Sequence, residues 1–477
     1  MLFNSIEYLL FLPIVVILYW WLNKRELLYQ NTFLLLMSYL FYGMWNWKFL
    51  FLLIFSTLLD YYSAIKINQS HSKSRKKFWL ILSVGINLGF LGLFKYFNFF
   101  SDIVTDVKHL FGLNSSIARL DVLLPVGISF YTFHGLSYVF DCYNEKIEVR
   151  KNFIDYGLFV SFFPLLVAGP IERANHLLPQ IERKRTFTEL NAVNGLRQIL
   201  WGLFKKIVIA DNCAIFANTI FDNYPDYSGS TLLVGAVLFA FQIYGDFSGY
   251  SDIALGSAKL MGFDLLKNFS FPYFSRNLAE FWKRWHISLS SWFRDYLYIP
   301  LGGNKAGTFK RVVNVMIVFL VSGFWHGANW TFIAWGVLNS IFVVIDNFIL
   351  KTKFEGVVAN GRKIPSLKEV AQVLSTFLLV SMLWIFFRAE TITEAADYIK
   401  RIFTEALFKL PEVRPSIVFI LIFVLLIFEW LGRHKDFAFQ NMYNIKSKYL
   451  RWIIYNVILA TILLFGATPQ TFIYFQF

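Results

Sequence analysis

The sequence predicts an all-α, polytopic membrane protein, and three observations carry that expectation. Of 477 residues, 57% are hydrophobic and 16% charged, against about 25% charged in soluble domains. Apolar runs close to the length of a membrane span, about 17–25 residues, recur from end to end, as in IEYLLFLPIVVILYWWL at 6–22 and IVFILIFVLLIFEWL at 417–431. No polar stretch between such runs is long enough to fold alone. Counted along the chain, the runs suggest about ten to twelve spans plus re-entrant segments.

Each element follows from hydropathy and from where Lys and Arg fall. The first run has neither a basic n-region nor a small-residue cleavage site, so it is expected to stay as a span. Lys24 and Arg25 follow it, and Lys66, Lys73, Arg75, Lys76 and Lys77 follow the third run. Placing both basic loops in the cytoplasm puts the N-terminus outside. A turn at WNWK, 45–48, separates the second run from the third. Residues 101–121 are expected outside or along the interface. The stretch 121–141 carries Pro125 and Gly127, and 153–170 carries Pro164, Gly169 and Pro170 with basic residues on both flanks. The latter reads as re-entrant, since broken helices at membrane depth must be buried in protein or line a wet cavity. Residues 195–308 mix polar and aromatic residues and give no clean spans. After Lys310 and Arg311, a hairpin enters and returns to Lys351 and Lys353, and three further runs leave the C-terminus outside. The whole is expected to be a single integral-membrane domain, with N-terminal spans at 1–121, a core at 122–350 and C-terminal spans and tail at 351–477.

Composition also excludes functions. The net charge of +14 fits cytoplasmic loops meeting anionic lipid, not nucleic acid. Two cysteines, Cys142 and Cys213, stand far apart without a CxxC, which gives no disulfide framework and no zinc spacing; no metal site is expected. No G-x-S-x-G, H-E-x-x-H or GK[ST] phosphate loop occurs. No internal repeat stands out, which removes one pointer to a transporter.

Three stretches could carry chemistry. SGFWHGANW, 322–330, places His326 at the bend of the hairpin between Gly323 and Gly327. From Val312 to His326 is about 21 Å of helix at about 1.5 Å per residue, short of a core about 30 Å thick. An ionisable residue at that depth is costly to keep and points to function, and the G-x-x-x-G frame permits a close backbone approach. Histidine titrates near neutral pH, as a general base requires; a neutral histidine bonded to a neighbouring helix is the competing account. The second stretch is SRNLAEFWKRWHISLSSWFRDYLYIPLGG, 275–303. Taken as one helix, it sets Trp282, His286, Leu289 and Phe293 on a single face, either into protein or as an interfacial anchor. The third, QIYGDFSGYSDIALG at 242–256, holds Asp246 and Asp252, expected to be solvated or helix-capping carboxylates.

SGFWHGANW together with FWKRWHISLSSWFRDYLYIPLGG resembles the membrane-bound O-acyltransferases (MBOAT), and most of all their bacterial alginate O-acetyltransferase-like branch. VGISFYTFHGLSYVFDCY, FPLLVAGPIERA, YGDFSGYSDIALG and FRAETITEAADYI extend the similarity in order over nearly the whole chain. The resemblance implies a ring-like bundle of spans around a central tunnel, with His326 catalytic and His286 as the second histidine. It implies acyl transfer from a cytoplasmic thioester, acetyl-CoA for this branch, with no bound cofactor. The destination would be an exported polysaccharide, reached through an extracytoplasmic SGNH or esterase-like partner in a bacterial plasma membrane. Trp282, Asp295, Trp325 and Asn329 are the residues expected to line the tunnel or bind the donor, Trp325 and Asn329 also being candidate oxyanion donors. The tail FIYFQF, 472–477, has no packing partner evident in sequence. Similar tails recur in the superfamily, and Tyr474 is the expected acyl relay, with an interfacial aromatic anchor as the competing account. D-alanyl transfer and peptidoglycan O-acetylation share the mechanism. A transporter or flippase of polysaccharide precursors, or a scaffold, would make no histidine-dependent ester.

Overall fold

The computed structural model describes residues 1–473 except 114, 122, 168, 306, 353, 355 and 467–469, and the side chain of Asn441. Among the described residues every regular element is helical. Six helices are long and apolar enough to cross a membrane: Leu27–Gln69, Lys73–Leu110, Gly229–Leu260, Thr308–His326, Trp330–Ile349 and Leu367–Arg388. Shorter apolar helices run over Ile6–Leu22 and Ser416–Gly432. Large apolar side chains such as Ile17, Trp21, Phe51, Leu320 and Phe423 are exposed on these elements, as hydrocarbon-facing surfaces require. The chain is a multi-pass membrane protein.

The difference between these helices and the runs counted in sequence lies in how the chain turns. Leu27–Gln69 is 43 residues, about 65 Å at about 1.5 Å per residue, twice the hydrocarbon thickness. Its backbone leaves the helix at Asn46, at φ −159° and ψ 109°, where the sequence predicts the turn. The helix starting at Lys73 passes through a π turn at Gly92–Tyr96 into Phe97–Leu110. Residues 101–110, expected outside or along the interface, continue this helix.

The chain divides into two compact units, Met1–Leu196 with Ala254–Leu266, and Arg197–Ile253 with Lys267–Phe477. In the first, side chains of the opening helix bind the returning segment: Tyr8 Oη lies 2.7 Å from Ser257 Oγ, Tyr19 Oη donates to the Met261 carbonyl and Trp20 Nε1 to that of Leu260. Arg185, expected among basic flanking residues, is buried instead and donates to Tyr19, Gln30 and Asn31. Asp60 accepts from Ser83 and Asn87, tying two apolar helices together. The stretch read as re-entrant is broken, as Phe153–Ser161 and Phe163–Leu166 hinged at Phe162. Gly127, at φ 73°, caps the helix Ile128–Tyr143. Any Cβ there would collide with the Leu166 carbonyl.

The second unit has a core of aromatic and aliphatic side chains from the helices starting at Gly229, Trp330, Leu367 and Ser416. Ser366 and Glu369 form a reciprocal capping box at the start of Leu367–Arg388, which satisfies backbone donors that the helix itself leaves open.

Candidate active site

The hairpin is built by close backbone contact. Helix Thr308–His326 turns at residues 327–329 into Trp330–Val344. Gly323 and Gly336 face each other across it. A Cβ on Gly336 would sit 2.5 Å from the Phe319 carbonyl, and one on Gly323 would strike that of Phe332. The close approach expected of Gly323 is thus made with Gly336. Gly327 lies beyond the helix and is covered by the Phe332 ring.

His326 ends its helix and is 5% exposed. Its ring lies 4.9 Å from Trp325, 5.2 Å from Trp335 and 5.2 Å from Phe387, all three edge-on. Trp384 stacks on Trp335 at 5.7 Å and meets Phe387 edge-on, completing an aromatic wall. Such a wall buries the imidazole among aromatic rings.

His286 reaches the same place by a different route. The stretch 275–303 is not the single helix the sequence suggests. Leu278–Trp282 ends, the chain reverses, and Ile287–Phe293 begins from His286 at φ 44° and ψ 52°. The shared face of Trp282, His286, Leu289 and Phe293 therefore does not exist as a helical stripe. Asn268 is the local cause. Its carbonyl accepts from Ile287 N–H at 2.9 Å and its side chain from Ser288 Oγ at 2.6 Å. These bonds compete with helix continuation and hold the reversal. His286 is 1% exposed, 4.7 Å from Phe247 and 6.1 Å from Trp325. The Trp325 indole thus lies against both imidazoles, and it joins two stretches 40 residues apart.

The other expected site residues divide. Trp282 borders this core: its Nε1 donates to Asn339 at 3.1 Å and its ring lies 5.4 Å from Trp335. Asn329 has both ends of its amide engaged, Oδ1 capping Thr331 N–H and Nδ2 donating to the Glu390 carbonyl. Its role here is to fix the hairpin bend. Asp295 sits beside Arg294 at 2.8 Å in the π turn Arg294–Tyr298. Tyr474 lies outside the described residues. Next to the histidine segment, Arg276 and Arg284 converge on Glu280 and on the Gly356 carbonyl. Burial opposes ionisation of Glu280, but the bonds from Arg276 and the charge of Arg284 outweigh it and hold the carboxyl below its ordinary value.

Several residues near the site were hidden from sequence. Asp246 and Asp252 are neither solvated nor capping. They lie inside the helix Gly229–Leu260, Asp246 paired with Lys206 at 2.7 Å and Asp252 with Lys205 at 2.6 Å. The signal available was the lysine pair in LFKKIVIA, because cations within an apolar run must find anions. The tail also has partners. Phe472 packs 4.5 Å from Tyr250 and 6.2 Å from Phe247, where sequence suggested none.

Known proteins match the chain over most of its length. The MBOAT description, membrane-bound O-acyltransferase family, fits residues 34–353. A probable alginate O-acetylase of Pseudomonas putida is 41% identical over 398 residues, covering 83% of this chain and 79% of that protein. One from Pseudomonas aeruginosa is 40% identical over 414 residues, covering 86% and 76%. A peptidoglycan O-acetyltransferase of Helicobacter pylori is 36% identical over 429 residues, covering 84% and 79%. With the histidine hairpin, the all-helical spans and this match together, the chain belongs to the membrane-bound O-acyltransferase family and is an O-acyltransferase.

Proposed function

We propose that this enzyme moves an acetyl group from acetyl-CoA, or another cytoplasmic acyl thioester, across the bacterial plasma membrane for O-acetylation of an exported cell-surface polysaccharide. The observation that carries the reading is the pair of buried histidines sharing Trp325. His326 takes the proton of an acceptor hydroxyl as its oxygen attacks the thioester carbonyl. The carbon–sulfur bond then breaks, and the departing thiolate takes that proton back as a thiol. His286, which packs against the same indole, orients the donor or stabilises the oxyanion. Donors for the oxyanion must lie about 3 Å from it; with the Asn329 amide committed to the hairpin, Trp325 and backbone N–H groups are the candidates. Trp282 lines the approach, and Asp295 belongs to the donor side.

Tyr474 is the acyl relay in this reading, passing the group to an extracytoplasmic SGNH or esterase-like transferase. The burial of Phe472 and Ile473 immediately before it supports the assignment. The distribution of Lys and Arg supports both termini outside the cell. Peptidoglycan is a second acceptor to examine, because the Helicobacter relative matches over 84% of this chain.

The deciding measurement is ester-linked acetate on exported polysaccharide, comparing wild type with His326→Ala at matched membrane abundance. Loss of acetate is expected. Unchanged acetate with abundant, folded protein would make His326 a packing residue and sink the reading. Tyr474→Phe removes the hydroxyl that receives the acyl group, so it is expected to abolish polymer acetate and the thioester consumption coupled to it; full polymer acetylation would end the relay assignment.

A further inference from the structure

The buried cluster around Lys206 is incomplete without the segment 470–473. An ammonium has three N–H donors and accepts nothing. At Lys206 they reach Asp211 Oδ1 at 2.8 Å, Asp246 Oδ1 at 2.7 Å and the Gln470 carbonyl at 3.1 Å. The remaining Asp246 oxygen accepts the Ile473 N–H at 2.6 Å. The Ile473 backbone N–H thus gives this buried cluster a donor besides Lys206. Withdrawing the segment would strip an acceptor from a buried cation and a donor from a buried anion, and both groups would then be left short of hydrogen bonds.

The same four residues press an aromatic ring toward the histidines. Phe472 lies between the two anchoring contacts and is 0% exposed. It rests on Tyr250 and Phe247, and Phe247 lies 4.7 Å from His286. Asp246, Phe247 and Tyr250 come from one helix, Gly229–Leu260, so anchor and ring contacts share a rigid support. We propose that Lys206, Asp211 and Asp246 form a clamp that holds segment 470–473 against the His286 side of the site, and that these three are positioning residues for the acyl hand-over. The functional half of this proposal rests on the acyl-transfer reading above; the structural half does not.

The test uses full-length protein carrying Ile473→Cys, a position 2% exposed, with maleimide labelling as the readout of docking; Cys142 and Cys213 are buried. Lys206→Met is expected to raise labelling at position 473 by at least about tenfold, as local opening exposes it. Lys206→Arg should restore protection. Polymer acetate should fall by about 10²-fold, the scale of a misplaced reacting group, and thioester consumption should fall with it. Should Lys206→Met fold poorly, Asp246→Leu keeps the Lys206–Asp211 pair and removes the acceptor for Ile473 N–H, with the same outcome expected. Unchanged labelling in a folded variant would refute the clamp. Raised labelling with unchanged acetate would refute its role in hand-over. Loss of protection in a protein whose acetate is also indifferent to His326→Ala would keep the clamp and discard the acyl-transfer reading.

Discussion

His286 holds a left-handed backbone conformation, which costs a residue with a side chain on the order of 1–3 kcal/mol and persists only where the surroundings enforce it. Here the Asn268 bonds enforce it, and the result is an imidazole packed edge-on against Trp325 at 6.1 Å. Asparagine tolerates this region better than most residues. His286→Asn should therefore leave the detergent melting temperature almost unchanged while transfer falls; a fall in melting temperature matching the loss of transfer would assign His286 to folding alone. Trp325→Phe keeps an aromatic ring against both histidines and removes one N–H. If that N–H faces the oxyanion, single-turnover acyl transfer should slow by about 10²-fold. Unaltered transfer would shift that role to backbone donors.

Elements here are held by contacts that a single methyl group would disturb. Gly323 and Gly336 place the two helices of the hairpin backbone against backbone. Alanine at either should destabilise by about 1–3 kcal/mol, the usual cost of overpacking. Because both changes widen the same crossing, the double variant should cost less than the sum; strict additivity in thermal melts would show that the two glycines act separately. The pair Arg276 and Arg284 on Glu280 anchors the histidine segment. The Glu280 carboxyl is held below the ordinary 4.5 of a free glutamate, so the folded protein keeps it ionised where the unfolded chain begins to protonate. Its contribution is full above about pH 4.5 and is lost as pH falls through the lowered value. Glu280→Gln should flatten that acid limb of the melting profile and leave the neutral region lower throughout.

At the scale of the whole molecule, the recurring device is a buried charge that another part of the same unit satisfies. In one unit Arg185 draws together Tyr19, Gln30 and Asn31. In the other, Lys205 answers Asp252, which also accepts from Gln198. Removing one partner of such a pair leaves an uncompensated charge, at about 3–5 kcal/mol, whereas replacing both by apolar residues can be neutral. Lys205→Met should thus lower the melting temperature sharply, and Lys205→Met with Asp252→Leu should recover most of it. Failure of the double variant to recover would mean that the other partners of the pair, Gln198 at Asp252 and Tyr244 at Lys205, depend on it.

The sequence by itself determined that the chain is helical and membrane-spanning, that the second run gives way to the third near Asn46, and that His326 sits at a hairpin bend framed by small residues. These follow from local quantities: run length, the cost of charge in hydrocarbon and the absence of a Cβ. It did not determine that residues 275–303 break at His286, because their apolar spacing fits a helix and the competing bonds come from Asn268, 18 residues away. Nor did it show that Asp246 and the tail segment are joined through Lys206, since that bond spans 264 positions from Lys206 to Gln470. Hydrophobic periodicity records which side of an element faces away from water or lipid. Which buried donor meets which buried acceptor depends on distances that only the folded chain defines, and those distances brought the two histidines to one indole.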